Sequence, residues 1–266
     1  SKFIKSSACL VLILFSYSCH EDIERIESTQ ASQDHLYAEF IFNDLGLVVH
    51  ESLNNFALNK SCLTYSLSNL DNTNEDTLIL DFGAENCLFN NHLRRGKIIT
   101  VFNGGYNDSL TLITTTLENY YINNKLVLGE RSIINKGRNS SGNICFEIKI
   151  INGNVSTENG TINWQCDYIF EWTTDNNTPF NLLDDEYMIS GNANGVSVNN
   201  NNFNIEIIEP LIIDLKCLNM GKCSRKSGEA TVSPNNYQNR IINYGEECDC
   251  NATVTIEKNE YFLTIN

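Results

Sequence analysis

Ten cysteines dominate the side chains that could do chemistry: Cys9, Cys19, Cys62, Cys87, Cys145, Cys166, Cys217, Cys223, Cys248 and Cys250. Thiolates either ligate zinc or pair as disulfides. Cys248-Asp249-Cys250, with Cys217 and Cys223 upstream, is the one grouping dense enough for a metal. Zinc ligand pairs, however, favour about two to four residues between them. Two cysteines one residue apart on an extended segment also point to opposite faces. Setting aside Cys9, inside an apolar run, and Cys19, eight remain. An even number fits the disulfide framework of an exported domain, so neither a metal nor any other cofactor is expected.

Other candidates are weaker. Asp184-Asp185-Glu186 clusters carboxylates that could serve glycoside hydrolysis or bind calcium. Adjacent loop residues rarely reach the separation a hydrolytic pair needs, so a solvated acidic turn is expected. Asp81-Phe82-Gly83 lacks the Gly-rich loop, strand lysine and catalytic loop of a kinase, and reads as a strand entering a glycine turn. The four histidines, His20, His35, His50 and His92, fall in no metal-ligand spacing, and no Gly-x-Ser-x-Gly turn accompanies them. His92 is expected to face solvent in a loop. Trp164, Tyr168, Phe170 and Trp172 occupy alternate positions of one run and would share one face of a strand. Such a row either stacks on a ligand, a sugar or a partner protein, or faces the core. No catalytic residue emerges.

The N-terminus carries its own chemistry. Lys2 and Lys5 precede the apolar run Ala8 to Phe15, and Ser16-Tyr17-Ser18 leads into Cys19. A basic head, a short apolar stretch and small residues before a cleavage point make an export signal over residues 1–18. The run is too short to span a bilayer as a helix. Cys19 at the first mature position resembles a bacterial lipobox, whose thiol receives diacylglycerol and whose chain is then acylated, typically with palmitate. Each buried methylene adds about 0.8 kcal/mol of membrane affinity. Residues 19–31 then form the lipidated cysteine and a polar tether, acidic at Glu21, Asp22 and Glu24.

The elements that must position the rest follow. Over residues 32–57, Leu36, Phe40, Ile41, Leu47, Val48 and Phe56 recur at roughly helical spacing. This predicts one amphipathic helix, interrupted near Gly46, packing on a sheet. From residue 58 to 266 the chain is strand-like, with about fourteen runs rich in β-branched and large apolar residues. Asn123-Asn124, Asn152-Gly153 and Asn159-Gly160 sit between runs where hairpin turns require positive φ. Short hairpins imply antiparallel pairing. The expected fold is mainly β, an antiparallel meander or sandwich with one N-terminal helix, with related subregions near 60–140 and 141–266.

An internal echo suggests which cysteines pair. Ile79-Leu80-Asp81-Phe82-Gly83 leads to Cys87, and Ile241-Ile242-Asn243-Tyr244-Gly245 leads to Cys248. Each has an upstream cysteine, Cys62 and Cys217, which predicts bridges Cys62–Cys87 and Cys217–Cys248. Cys223–Cys250 would lie beside the second, and Cys145–Cys166 would join the strands around the Asn-Gly turns. Spacing alone leaves this open, since eight cysteines allow about 105 pairings.

Composition bounds the partners. A formal net charge of −15, with no cluster of Lys or Arg, argues against nucleic acid. Asn makes up roughly one residue in seven, attributable to a biased genome and to left-handed turns.

Asp81-Phe82-Gly83 to Cys87, Arg95-Gly96-Lys97-Ile98, Asn119-Tyr120-Tyr121-Ile122-Asn123, Asp184 to Gly191 and Tyr244-Gly245 to Cys248-Asp249 occur in that order. The series resembles a family of uncharacterised Bacteroidota-type lipoproteins over most of residues 60–266. The resemblance implies an exported, lipid-anchored, β-rich protein of the outer membrane or cell surface, and transfers no catalytic residue. The expected function is a non-enzymatic binding or structural domain, its partners being the membrane through the anchor and a glycan or envelope protein. The alternative is an enzyme or accessory acting on surface polysaccharide.

Overall fold

The computed structural model describes residues 28–54, 62–68, 75–174 and 182–265. The signal, Cys19 and tether residues 20–27 lie outside them, and the helix takes up the tether's last two residues, Gln30 and Ala31. Among the described residues no helix is long and apolar enough to cross a membrane.

One antiparallel sheet of fourteen strands forms the body. It runs β1 (Thr64–Leu67), β2 (Asp76–Asp81), β4 (His92–Phe102), β5 (Leu112–Ile122), β6 (Lys125–Arg138), β7 (Ile144–Thr157) and β8 (Gly160–Trp172). It continues through β9 (Glu186–Val196), β10 (Asn202–Asp214), β11 (Arg225–Pro234), β12 (Arg240–Asn243), β13 (Asn251–Ile256) and β14 (Asn259–Thr264). The short β3 (Cys87–Phe89) pairs only with β4. Each strand follows its neighbour in sequence, so the architecture is a meander and not two stacked sheets. Asn123 (φ 48°) and Asn124 (φ 65°) make the two-residue β5–β6 turn, as their type predicts.

Asn152-Gly153 is a correction. The pair lies inside β7, at a register shift between Ile150 and Gly153, and not at a hairpin end. A Cβ on Gly153 would come within 2.3 Å of the Trp164 carbonyl oxygen. The glycine therefore serves close approach of backbones at a bulge.

The helix α1 (Gln30–Asn54) lies along the sheet's inner face, and is unbroken at Gly46, contrary to expectation. Only Gln33 and Asn54 are exposed along its length. Its buried positions wrap far more than one stripe because the sheet curls around it. Side chains from β4, β6, β8 and β11 all reach it. Alternation then puts Phe146, Ile148 and Ile150 of β7, and Ile162, Trp164 and Tyr168 of β8, against the helix.

Cys62–Cys87 ties the β1 edge to β3, and Cys217–Cys248 and Cys223–Cys250 staple the short helix α2 (Lys216–Asn219) and the following loop to the β12–β13 connection. The two echoed bridges and the one beside them are thus present. The fourth is not: Cys145 and Cys166 are free. In the β7–β8 register Cys145 stands opposite Glu171 and Cys166 opposite Ile150, many residues apart. Cys145 alternates with the inward Ile144 and Phe146, whereas Cys166 faces the core, so the thiols also sit on opposite faces of the sheet.

Candidate functional site

The aromatic row singled out on β8 faces the core. Trp164, Tyr168 and Trp172 are buried and Phe170 is packed against the same cluster, which removes them as an exposed ligand platform. Trp164 stacks on Phe42 of α1 with ring centroids 5.7 Å apart. The acidic turn is likewise corrected in part. Asp185 is buried and accepts hydrogen bonds from Trp172 Nε1 (2.9 Å) and the Tyr187 hydroxyl (3.4 Å). Burial pushes its carboxyl up to about 6. His92 is not a loop residue. It opens β4 and meets Phe40 edge-on, at 5.7 Å between centroids.

Under the N-terminal half of α1 lies a buried polar chain. Trp164 Nε1 donates to His35 Nδ1 at 3.1 Å, which makes that nitrogen the acceptor and leaves the ring proton on Nε2. Nε2 is 3.2 Å from the Tyr244 hydroxyl, which in turn donates to Glu39. Glu39 also accepts from Tyr168 (3.2 Å) and from Arg225 Nη2 (2.5 Å). Burial lowers the His35 imidazole to about 4, so it is neutral at ordinary pH. His35 and Glu39 are essentially without solvent contact. Their donors and acceptors are consumed in joining helix to strands. The group fixes the helix and has no face for a substrate.

Among the described residues one cluster has metal-like proximity, Asp214 with Cys217 and Cys248. Both sulfurs are already joined to each other. A disulfide sulfur is no thiolate, so the cluster is not a zinc site.

The outer face presents a different surface. Across β7, β8, β9 and β10, exposed carboxamides stand opposite one another in adjacent rows. Asn154 pairs with Asn163, and Asn163 and Asn202 flank Val196. In the next row Gln165 pairs with Asn194, which pairs with Asn204. Asn154 Nδ2 donates to Asn163 Oδ1 at 2.7 Å, and Gln165 Nε2 to Asn194 Oδ1 at 3.1 Å. These links orient the amides and leave further donors and acceptors to solvent. Asn152 and Asn235 close the ends of a trench of about 520 Å³. Among the described residues no charged side chain lines it, although the chain carries −15 overall.

Sequence reasoning missed these residues by assigning asparagine to turns and composition. The signal was present: Asn152/Asn154, Asn163/Gln165, Asn192/Asn194 and Asn202/Asn204 each recur at period two in a strand, which places both members on one face.

No protein-family model, curated protein or solved structure matches the chain.

Proposed function

We propose that this chain is a lipid-anchored protein of the bacterial envelope whose β domain holds neutral glycan along the carboxamide trench, without catalysing a reaction on it. The observation that carries the reading is the uncharged amide ladder on an otherwise strongly acidic protein. A carboxamide offers both donor and acceptor, which matches a sugar hydroxyl that is itself both. The absence of lining charge gives no hold on a phosphate or carboxylate polymer, and the net charge repels one. Each amide–hydroxyl bond contributes about 0.5–1.5 kcal/mol, so affinity rests on several together.

The anchor rests on Cys19 and its preceding apolar run, together with the resemblance to Bacteroidota-type lipoproteins. Three disulfides accord with passage to an oxidising compartment. Two measurements test the reading. Metabolic labelling with an alkyne fatty acid should tag the native chain and not Cys19→Ser. Electrophoresis through gels cast with neutral polysaccharides should retard the domain, while acidic polysaccharides leave it unretarded. Failure of labelling sinks the anchor, and failure of retardation sinks the glycan.

A further inference from the structure

Among the described residues four arginines are buried, and three have partners. Arg94 pairs with Asp44, Arg225 with Glu39, and Arg240 donates to the carbonyls of Ser28 and Gln238. Arg131, at 7% exposure, differs. It projects inward from β6, between Thr115 of β5 and Ile150 of β7. Its guanidinium lies on the bare surface of α1 at Gly46, where a Cβ would come within 2.7 Å of Nη2. Its Nη1 meets no hydrogen-bond acceptor, and no carboxylate of the described residues lies within ion-pair distance.

That guanidinium borders a cavity of about 50 Å³ between α1 and the inner faces of β6, β7 and β9. His50 and Tyr106 stack at its side, ring centroids 4.0 Å apart, and Phe170 and Tyr187 line the wall beyond. Burial and Arg131 together press the His50 imidazole down to about 3, so it adds no second positive charge. Burial pushes the Tyr106 hydroxyl up to about 12, so it adds no negative one. A room of this size holds a few waters or one small polar group. A buried charge without a counter-charge is costly, and a planar guanidinium matches a carboxylate in a two-point contact.

We infer that Arg131 is the anchor of a ligand site for a carboxylate group, which enters the cavity between α1 and β6–β7 and binds the guanidinium beneath Gly46. The site is on the opposite face of the sheet from the amide trench and stands whether or not the trench binds sugar.

The test uses the whole exported protein with its disulfides intact. Sodium acetate and sodium hexanoate are titrated while Tm is followed, against sodium chloride at matched ionic strength. The parent should show a saturable rise in Tm with carboxylate. Arg131→Met should lose it, and should be at least as stable as the parent in chloride because the unpaired charge is gone. Arg131→Lys keeps the charge without the fork and should need about tenfold more carboxylate, if one of two contacts is lost. A larger effect of hexanoate assigns the site to a carboxylate on an acyl chain. An equal or larger effect of acetate assigns it to a free small acid. No Tm rise in the parent, or the same rise in Arg131→Met, overturns the proposal.

Discussion

Asp44 of α1 holds Arg94 of β4 through two parallel hydrogen bonds, Nη1 to Oδ2 at 2.6 Å and Nη2 to Oδ1 at 2.8 Å. Nη1 also donates to the Tyr120 hydroxyl (2.6 Å), and Nε to the Phe89 carbonyl (3.2 Å). Burial alone would lower the guanidinium, but Asp44 and Tyr120 outweigh it and hold it above its ordinary value. This fork closes the sheet's first strands over the C-terminal half of the helix. The His35–Glu39 group does the same for the later strands.

Removing one partner of the fork leaves a buried charge. Asp44→Ala is expected to lower unfolding free energy by about 3–5 kcal/mol in urea melts, because Arg94 has no water to turn to. Asp44→Ala with Arg94→Met should recover much of that loss. Simple additivity of the two substitutions would mean that the pair is not coupled.

The thiols give a chemical count. Among the eight cysteines from Cys62 to Cys250, peptide mapping without reductant should find three bridges and two free thiols. Cys145 is partly exposed and should react with maleimide in the folded protein. Burial pushes the Cys166 thiol well above its usual value, so it should react only on unfolding. Replacing Cys62 and Cys87 with serine frees the β1 edge and should cost roughly 3 kcal/mol. Recovery of a Cys145–Cys166 bridge would contradict the β7–β8 register.

Acid should destabilise the fold through its buried histidines. His35 titrates near 6.5 unfolded and near 4 folded, so its contribution is complete above 6.5 and is lost as pH falls through 4. His50, near 3, acts in the same direction. Asp185 opposes them: raised from 3.8 to about 6, it favours the fold at low pH and loses that contribution as pH rises through 6. Unfolding free energy measured from pH 4 to 6.5 should therefore rise with pH. His35→Gln should flatten the slope by up to about 1.4 kcal/mol per pH unit, one proton's worth, and Asp185→Asn should steepen it. A profile that falls with pH in the parent would show that neither histidine is held neutral, since Asp185 alone would then set the slope.

Local chemistry was legible where it is decided locally. Runs rich in β-branched and large apolar residues, such as Thr77 to Phe82 and Ile144 to Ile151, specified strands, and Asn123-Asn124 specified a turn. The echoed Cys62–Cys87 and Cys217–Cys248 pairs could be read because each bridge closes a repeated strand–turn unit. What was not legible depends on curvature. A flat sheet would leave α1 one buried stripe; the curled one buries Asp34, His35 and Glu39 as well, and turns polar helix residues into clamps. The same curvature buries Trp164 and Tyr168 and hides Arg131. Asn152-Gly153 misled because a bulge and a hairpin turn draw on the same residue types.

The trench is the centre of the functional account, and calorimetric titration with neutral oligosaccharides of glucan, mannan and galactan type tests it most directly. The parent should bind at least one of these series. Asn194→Leu with Asn204→Leu, which removes two of the three amides of one row on exposed positions, should weaken that binding at least tenfold, or about 1.4 kcal/mol, with Tm unchanged. Equal affinity in parent and variant, or no heat from any neutral series, would contradict it.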